Sequence, residues 1–105
     1  MTTARTQINL YSINQSDDIN ILNLSPNTSK SIVVPTNVKT VIFNVVPSST
    51  IFYCKINNTA SIPDSNDVLD GSASEPNPSA RIVTGDDEIS VISESSCKVF
   101  ISFYE

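Results

Sequence analysis

The chain has 105 residues, of which 39% are apolar and only 16% charged, and its formal net charge is −5. It holds 17 Ser, 11 Asn and 9 Thr, and its apolar set is 13 Ile and 10 Val against 4 Leu and 4 Ala. Residues branched at Cβ are stiff and favour strands, so a helical bundle is excluded; the low charge excludes a disordered chain, and the length allows one domain, residues 1–105.

Period-two alternation broken by turn residues predicts about eight strands. Thr6–Ile13 comes first, and an Asn-Gln-Ser-Asp-Asp turn separates it from Ile19–Leu24. The cluster Ser25-Pro26-Asn27-Thr28-Ser29 has strong turn chemistry and precedes a short strand, Ser31–Val34, stopped by Pro35. Val38–Val46 follows and ends at Pro47-Ser48-Ser49; Thr50–Ile56 is next and closes on Asn57-Asn58. Positions 57–80 lack clean alternation and read as a surface loop long enough to imply function or flexibility. Arg81–Val83 is a brief strand, and Glu88–Ser93 and Cys97–Tyr104 form the last pair across Glu94-Ser95-Ser96. Short strands with turns every eight to twelve residues predict an all-β fold, an antiparallel β-sandwich of jelly-roll type. Only two glycines serve these turns, so Asn and Asp, which tolerate left-handed backbone, are expected to take their place.

The chemistry available is narrow. Without histidine there is no imidazole base for a Ser or Cys nucleophile and no His-containing zinc site, and two cysteines cannot build a four-cysteine cluster. Six cationic residues scattered through an acidic chain give no surface for phosphate, so no nucleic-acid partner is expected. No glycine pattern for nucleotide phosphates occurs, and no cofactor is expected. Apolar runs stop at three or four residues, so nothing long enough to cross a membrane as a helix is expected. The first residues, MTTARTQINLYS, are polar and alternating, so no secretory signal is expected and folding in the cytosol is the default.

Four features are weighed as sites. Asp64, Asp67 and Asp70 with Gly71 could suggest a calcium loop, but their spacing of three is not that of an EF-hand and no Glu closes it; solvated turn residues are the better reading. Asp86-Asp87-Glu88 reads as a simple turn. Cys54 and Cys97 each fall on the apolar side of a strand, with Lys55 and Lys98 on the other, so buried free thiols are expected rather than a disulfide or a catalytic thiolate. Sequons at Asn14, Asn23, Asn27 and Asn57 carry no weight in a chain so rich in Asn, Ser and Thr. The fourth feature is an apolar second face. Phe100 and Tyr104 lie opposite the inward set of the last strand, Tyr53 does the same in its own, and the strand around Ile42 is apolar on both sides. Such positions mark either a contact surface, a face that loop 57–80 folds back to cover, or single exposed apolar residues of the ordinary kind.

The second half of the chain carries an order of motifs. An apolar strand leads into Ala60-Ser61-Ile62-Pro63, and a Ser/Asp/Gly-rich loop ends in Asn77-Pro78-Ser79-Ala80-Arg81. The strand Ile89-Ser90-Val91-Ile92-Ser93 follows, and then the aromatic pair Phe103-Tyr104 before Glu105. Over residues 50–105 this pattern resembles small accessory virion proteins of tailed bacteriophages. The resemblance implies a non-enzymatic structural protein on the phage particle surface, made in the host cytoplasm: a capsid decoration (cement) protein or a head- or tail-fibre component. It implies the major capsid protein or other virion proteins as partners, and homo-oligomers, often trimers. From the residues themselves, Ile42, Tyr53, Phe100 and Tyr104 are the expected interaction positions. A carbohydrate-binding module is the alternative, suggested by the Asn/Asp/Ser-rich loop and opposed by the absence of Trp.

Overall fold

The computed structural model describes residues 18–105. The expected strand Thr6–Ile13 and the sequon at Asn14 lie outside them. The described residues form eight strands: β1 (Ile19–Leu24), β2 (Lys30–Val33), β3 (Thr40–Val46), β4 (Phe52–Ile56), β5 (Glu75–Pro76), β6 (Ala80–Ile82), β7 (Glu88–Ser93) and β8 (Cys97–Tyr104). They pair antiparallel in two four-stranded sheets, a first ordered β1-β8-β3-β6 and a second ordered β2-β7-β4-β5. The two sheets pack face to face as a β-sandwich. Of the connections between consecutive strands, only β4 to β5 stays within one sheet.

The core is the layer between the sheets. Val41 and Phe43 from β3, with Val99, Ile101 and Phe103 from β8, meet Phe52 and Cys54 from β4 and Ile89 and Val91 from β7. Each is the inward half of an alternating strand, which is why period two in the sequence translates into one side buried. Phe43 and Phe52 join the sheets directly, their rings tilted with centroids 5.9 Å apart. Full burial of side chains this size contributes about 1.5–3 kcal/mol each, so a single layer suffices for a domain of this length.

The turns use Asn and Asp where glycine would be usual. Asn27, Asn37, Asn57, Asn77 and Asp86 all have positive φ. Gly85 serves a different purpose: a Cβ there would lie 3.0 Å from the Cα of Thr36, so the backbones of two turns could not approach as they do.

Several boundaries differ from the expected ones, among them β6, which runs Ala80–Ile82 rather than Arg81–Val83 because the Val83 N–H donates to Lys39 beyond the start of β3. The β2 strand begins at Lys30 and ends at Val33, because Val34 turns its N–H to Asp87 outside the ladder. β3 starts at Thr40 rather than Val38, whose N–H instead closes a turn onto Pro35. β4 starts at Phe52 rather than Thr50, whose N–H closes a turn onto Pro47. Region 57–80 is not uniformly loop. Glu75–Pro76 pairs with Cys54 and Tyr53 as β5, held by Asn77, whose N–H donates to the Phe52 carbonyl and whose Oδ1 accepts from the Phe52 N–H.

Candidate functional site

Outward positions of the first sheet follow from its register. With Val99, Ile101 and Phe103 inward, β8 turns Lys98, Phe100, Ser102 and Tyr104 outward. Opposite them in β3 stand Val46, Asn44, Ile42 and Thr40. β1 adds Ile21 beside Phe100 and Ile19 beside Ser102, and β6 adds Ala80 beside Ile42 and Ile82 beside Thr40. Large apolar side chains on this face are substantially exposed: Ile82 at 87%, Ile19 at 53%, Val46 at 52%, Ile21 at 49% and Ile42 at 36%. Phe100 and Tyr104 are half-buried between these neighbours. Among the described residues the face carries one charge, Lys98, at its end. Such a contiguous apolar patch on an antiparallel sheet departs from the usual wet, polar outer side.

The second sheet is covered from within the chain over β4 and β7, while Val33 of β2 stays 56% exposed at its edge. Its outward residues include Tyr53 and Lys55 from β4 and Ser90 and Ile92 from β7, yet Ser90 and Ile92 are buried. The cover is the segment between β4 and β5. Ala60, itself buried, donates its N–H to Ser90 Oγ at 2.9 Å, and Ser61 donates its N–H to the buried Ser74 Oγ at 3.1 Å. Asn57 ties the start of the segment down through three bonds. Its N–H donates to the Glu88 carbonyl, its Oδ1 accepts from the Glu88 N–H, and its Nδ2 donates to Asp87 Oδ1. Hydrogen bonds from the Ser72 hydroxyl and N–H hold the Asp70 carboxyl below the usual carboxylate range, and the charge of Lys55 adds a smaller pull.

Of the expected interaction positions, Ile42, Phe100 and Tyr104 therefore share the open face of the first sheet. Tyr53 stands on the opposite sheet, half-buried beside Ile92 and Pro76. Ile19, Ile21, Val46 and Ile82 belong to the open face and were not among the expected positions. The signal for the first two was present: INILNL in β1 is apolar on both parities.

The acidic residues serve turns. Asp64 Oδ1 accepts from the Asn66 N–H, and Asp70 Oδ1 accepts from the N–H and hydroxyl of Ser72. Among the described residues no group of three His, Cys, Asp or Glu could hold a metal ion. Cys54 and Cys97 are buried free thiols in different sheets. Burial pushes the Cys54 thiol up to about 11, against a smaller pull from Arg81. Arg81 and Glu75 form an ion pair at 2.8 Å that joins the outer strands β6 and β5 of the two sheets. A shallow hollow of about 260 Å³ in the covering segment is lined by Ser, Asp, Ala, Pro, Ile and Val side chains, with no aromatic ring on which a sugar could stack. No helix among the described residues is long and apolar enough to cross a membrane.

Comparison with protein-family models, curated proteins and solved structures finds no match.

Proposed function

We propose that this chain is a non-enzymatic structural protein that acts by docking onto other proteins, and that its setting is the particle of a tailed bacteriophage, as a capsid decoration protein. The observation that carries the docking reading is the open face of the first sheet, apolar across four strands while the second sheet has its own cover. Support for the setting is the order of motifs over residues 50–105. We read the sheet-crossing connections as jelly-roll-like, an architecture common in viral shells.

The mechanism is burial of apolar area at junctions between shell subunits, at about 25 cal/mol per Å² removed from water. The outer strands of the two sheets, β1 and β2 on one side and β5 and β6 on the other, add backbone hydrogen bonds to an extended partner segment. The gain is a shell that resists internal pressure. Mass spectrometry of purified particles tests the setting, and absence of the chain from them overturns it. Reconstitution of undecorated particles with wild type and with Ile42→Asp tests the docking face: the variant is expected to bind at least tenfold more weakly, by the cost of burying an unpaired charge. Equal binding of the two proteins overturns that assignment.

A further inference from the structure

The open face has a pattern of sizes that specifies its partner. Across the seam between β8 and β3, Tyr104 stands beside Thr40, Ile42 beside Ser102, and Phe100 beside Asn44. Each pair sets one bulky side chain against one shorter one. One strand further out, Ser102 stands beside Ile19 and Ile42 beside Ala80.

We propose that a second copy of this chain packs on this face, sheet on sheet, about a two-fold axis that runs along the β8–β3 seam. This rests on the docking reading above and fills the face with a second copy, so that the pair meets a shell through its strand edges and loss of the pair weakens particle binding by loss of one of two attachments. Such an axis carries β8 over β3 of the second copy and β1 over its β6. Every residue then meets the counterpart of its own cross-strand neighbour. Tyr104 lies over Thr40 of the second copy, Phe100 over Asn44, Ile42 over Ser102, and Ile19 over Ala80. In these four pairs a bulky group falls on a shorter one, which allows the centre of two pleated faces to close to the ~10 Å spacing of packed sheets.

Charge points the same way. Of 6 cationic and 11 acidic residues in the chain, Lys98 alone among those described lies on the face. The axis sets it over Val46 of the second copy at the rim, where its stem covers apolar surface and its ammonium stays in water. Two copies therefore meet without like charges opposed in the interior. Four strands at ~4.8 Å spacing and roughly seven residues at ~3.4 Å give on the order of 400 Å² of flat area per copy, before side-chain relief. That is below the size of stable specific interfaces, so the pair forms reversibly and its population depends on concentration.

Sedimentation and light scattering of the full chain from about 1 µM to about 1 mM test this. The mass is expected to rise with concentration from 11.4 kDa towards twice that value. Ile42→Ser and Ser102→Ile are each expected to weaken association roughly tenfold, and the double variant, which exchanges large for small, to restore it. Ser102→Ile adds apolar area, so a merely sticky face would associate more tightly with it; that result overturns the two-fold packing. Should either single variant fail to fold by circular dichroism, Tyr104→Thr and Thr40→Tyr supply the same exchange one row away. A wild type that stays monomeric throughout overturns the proposal. So does a dimer that ignores these variants but is lost when residues 1–17 are removed. A monomeric wild type whose Ile42→Asp variant still loses particle binding would sink self-association and leave the docking reading standing. A dimer missing from particles would do the reverse for the phage setting.

Discussion

Replacing Ser90 by alanine removes the acceptor for the Ala60 N–H while leaving nearly the same volume, so it probes the cover over the second sheet without opening a cavity. Both residues are buried, Ser90 at 4% exposure and Ala60 at 2%, and the bond is 2.9 Å long. Water has no easy access to the orphaned amide. An unsatisfied buried donor costs about 1–3 kcal/mol, the full desolvation of the group rather than the smaller net worth of the bond. For a domain of this size each kcal/mol lowers the melting temperature by about 4–8 °C, which calorimetry or denaturant titration resolves. The loss is also local. Hydrogen exchange at the Ala60 amide should accelerate, and proteolysis after the 90%-exposed Leu69 should become faster, as the segment lifts from Ile92. A matched control is Ile82→Thr on the open face, where the side chain is 87% exposed and the expected change is below about 0.5 kcal/mol. If Ser90→Ala shifts stability by less than about 0.5 kcal/mol and leaves exchange at Ala60 unchanged, the segment is not held by this bond and the contrast between the faces fails.

Three further outcomes follow from turns and titrating groups. Asn37 has φ 80°; Asn37→Gly should be neutral or stabilising by a few tenths of a kcal/mol, whereas Asn37→Val should cost about 1–3 kcal/mol in urea unfolding, since a β-branched residue resists left-handed backbone. Cys54 is pushed from 9.0 to about 11 by burial. Its folded form holds the proton more tightly than the unfolded one, so its contribution is intact below pH 9 and is lost as pH rises towards 11. The loss amounts to at most about 2–3 kcal/mol, and the slope should disappear in Cys54→Ala. The Asn57 amide and then the Thr84 N–H hold the Asp87 carboxyl below the usual carboxylate range. Its contribution is therefore present above the unfolded carboxylate value and lost as pH falls through the lower folded one; Asp87→Asn should flatten that acid limb, with the depressed value read by carbon NMR.

Strand bounds were most legible where alternation met a turn on both sides. β1, β7 and β8 stand at the positions their sequences indicated. The exchange of glycine for Asn and Asp was legible too, since among the described residues every positive-φ residue other than glycine is one of these. β5 was not, because two residues have no period and one is proline; what makes Glu75–Pro76 a strand is Asn77 grasping Phe52, a contact across 25 residues. The fate of the outer faces was hidden for the same reason. Tyr53 and Phe100 have the same local signature, an aromatic residue on the outward side of an apolar strand. Both end half-buried; what separates the two sheets is the Ala60 N–H bonded to Ser90 from 30 residues away, which holds the connecting segment against the second sheet.

β-propensity offers a competing account of the exposed isoleucines, because branched side chains favour pleated backbone wherever they stand. Threonine meets that preference equally well and wets the surface besides. The chain has 9 of them, and Thr40 occupies one outward position of β3 itself. Propensity therefore explains a branched residue at 19, 21, 42 and 82 but not an aliphatic one. What distinguishes Ile from Thr there is an ethyl-for-hydroxyl exchange, which costs solubility in water and gains only when the face is removed from it. The second sheet shows that this sequence can supply such a cover from its own loop. On the first sheet the described residues supply none, and the proposed docking of a partner is what would give the preference for Ile over Thr its physical reason.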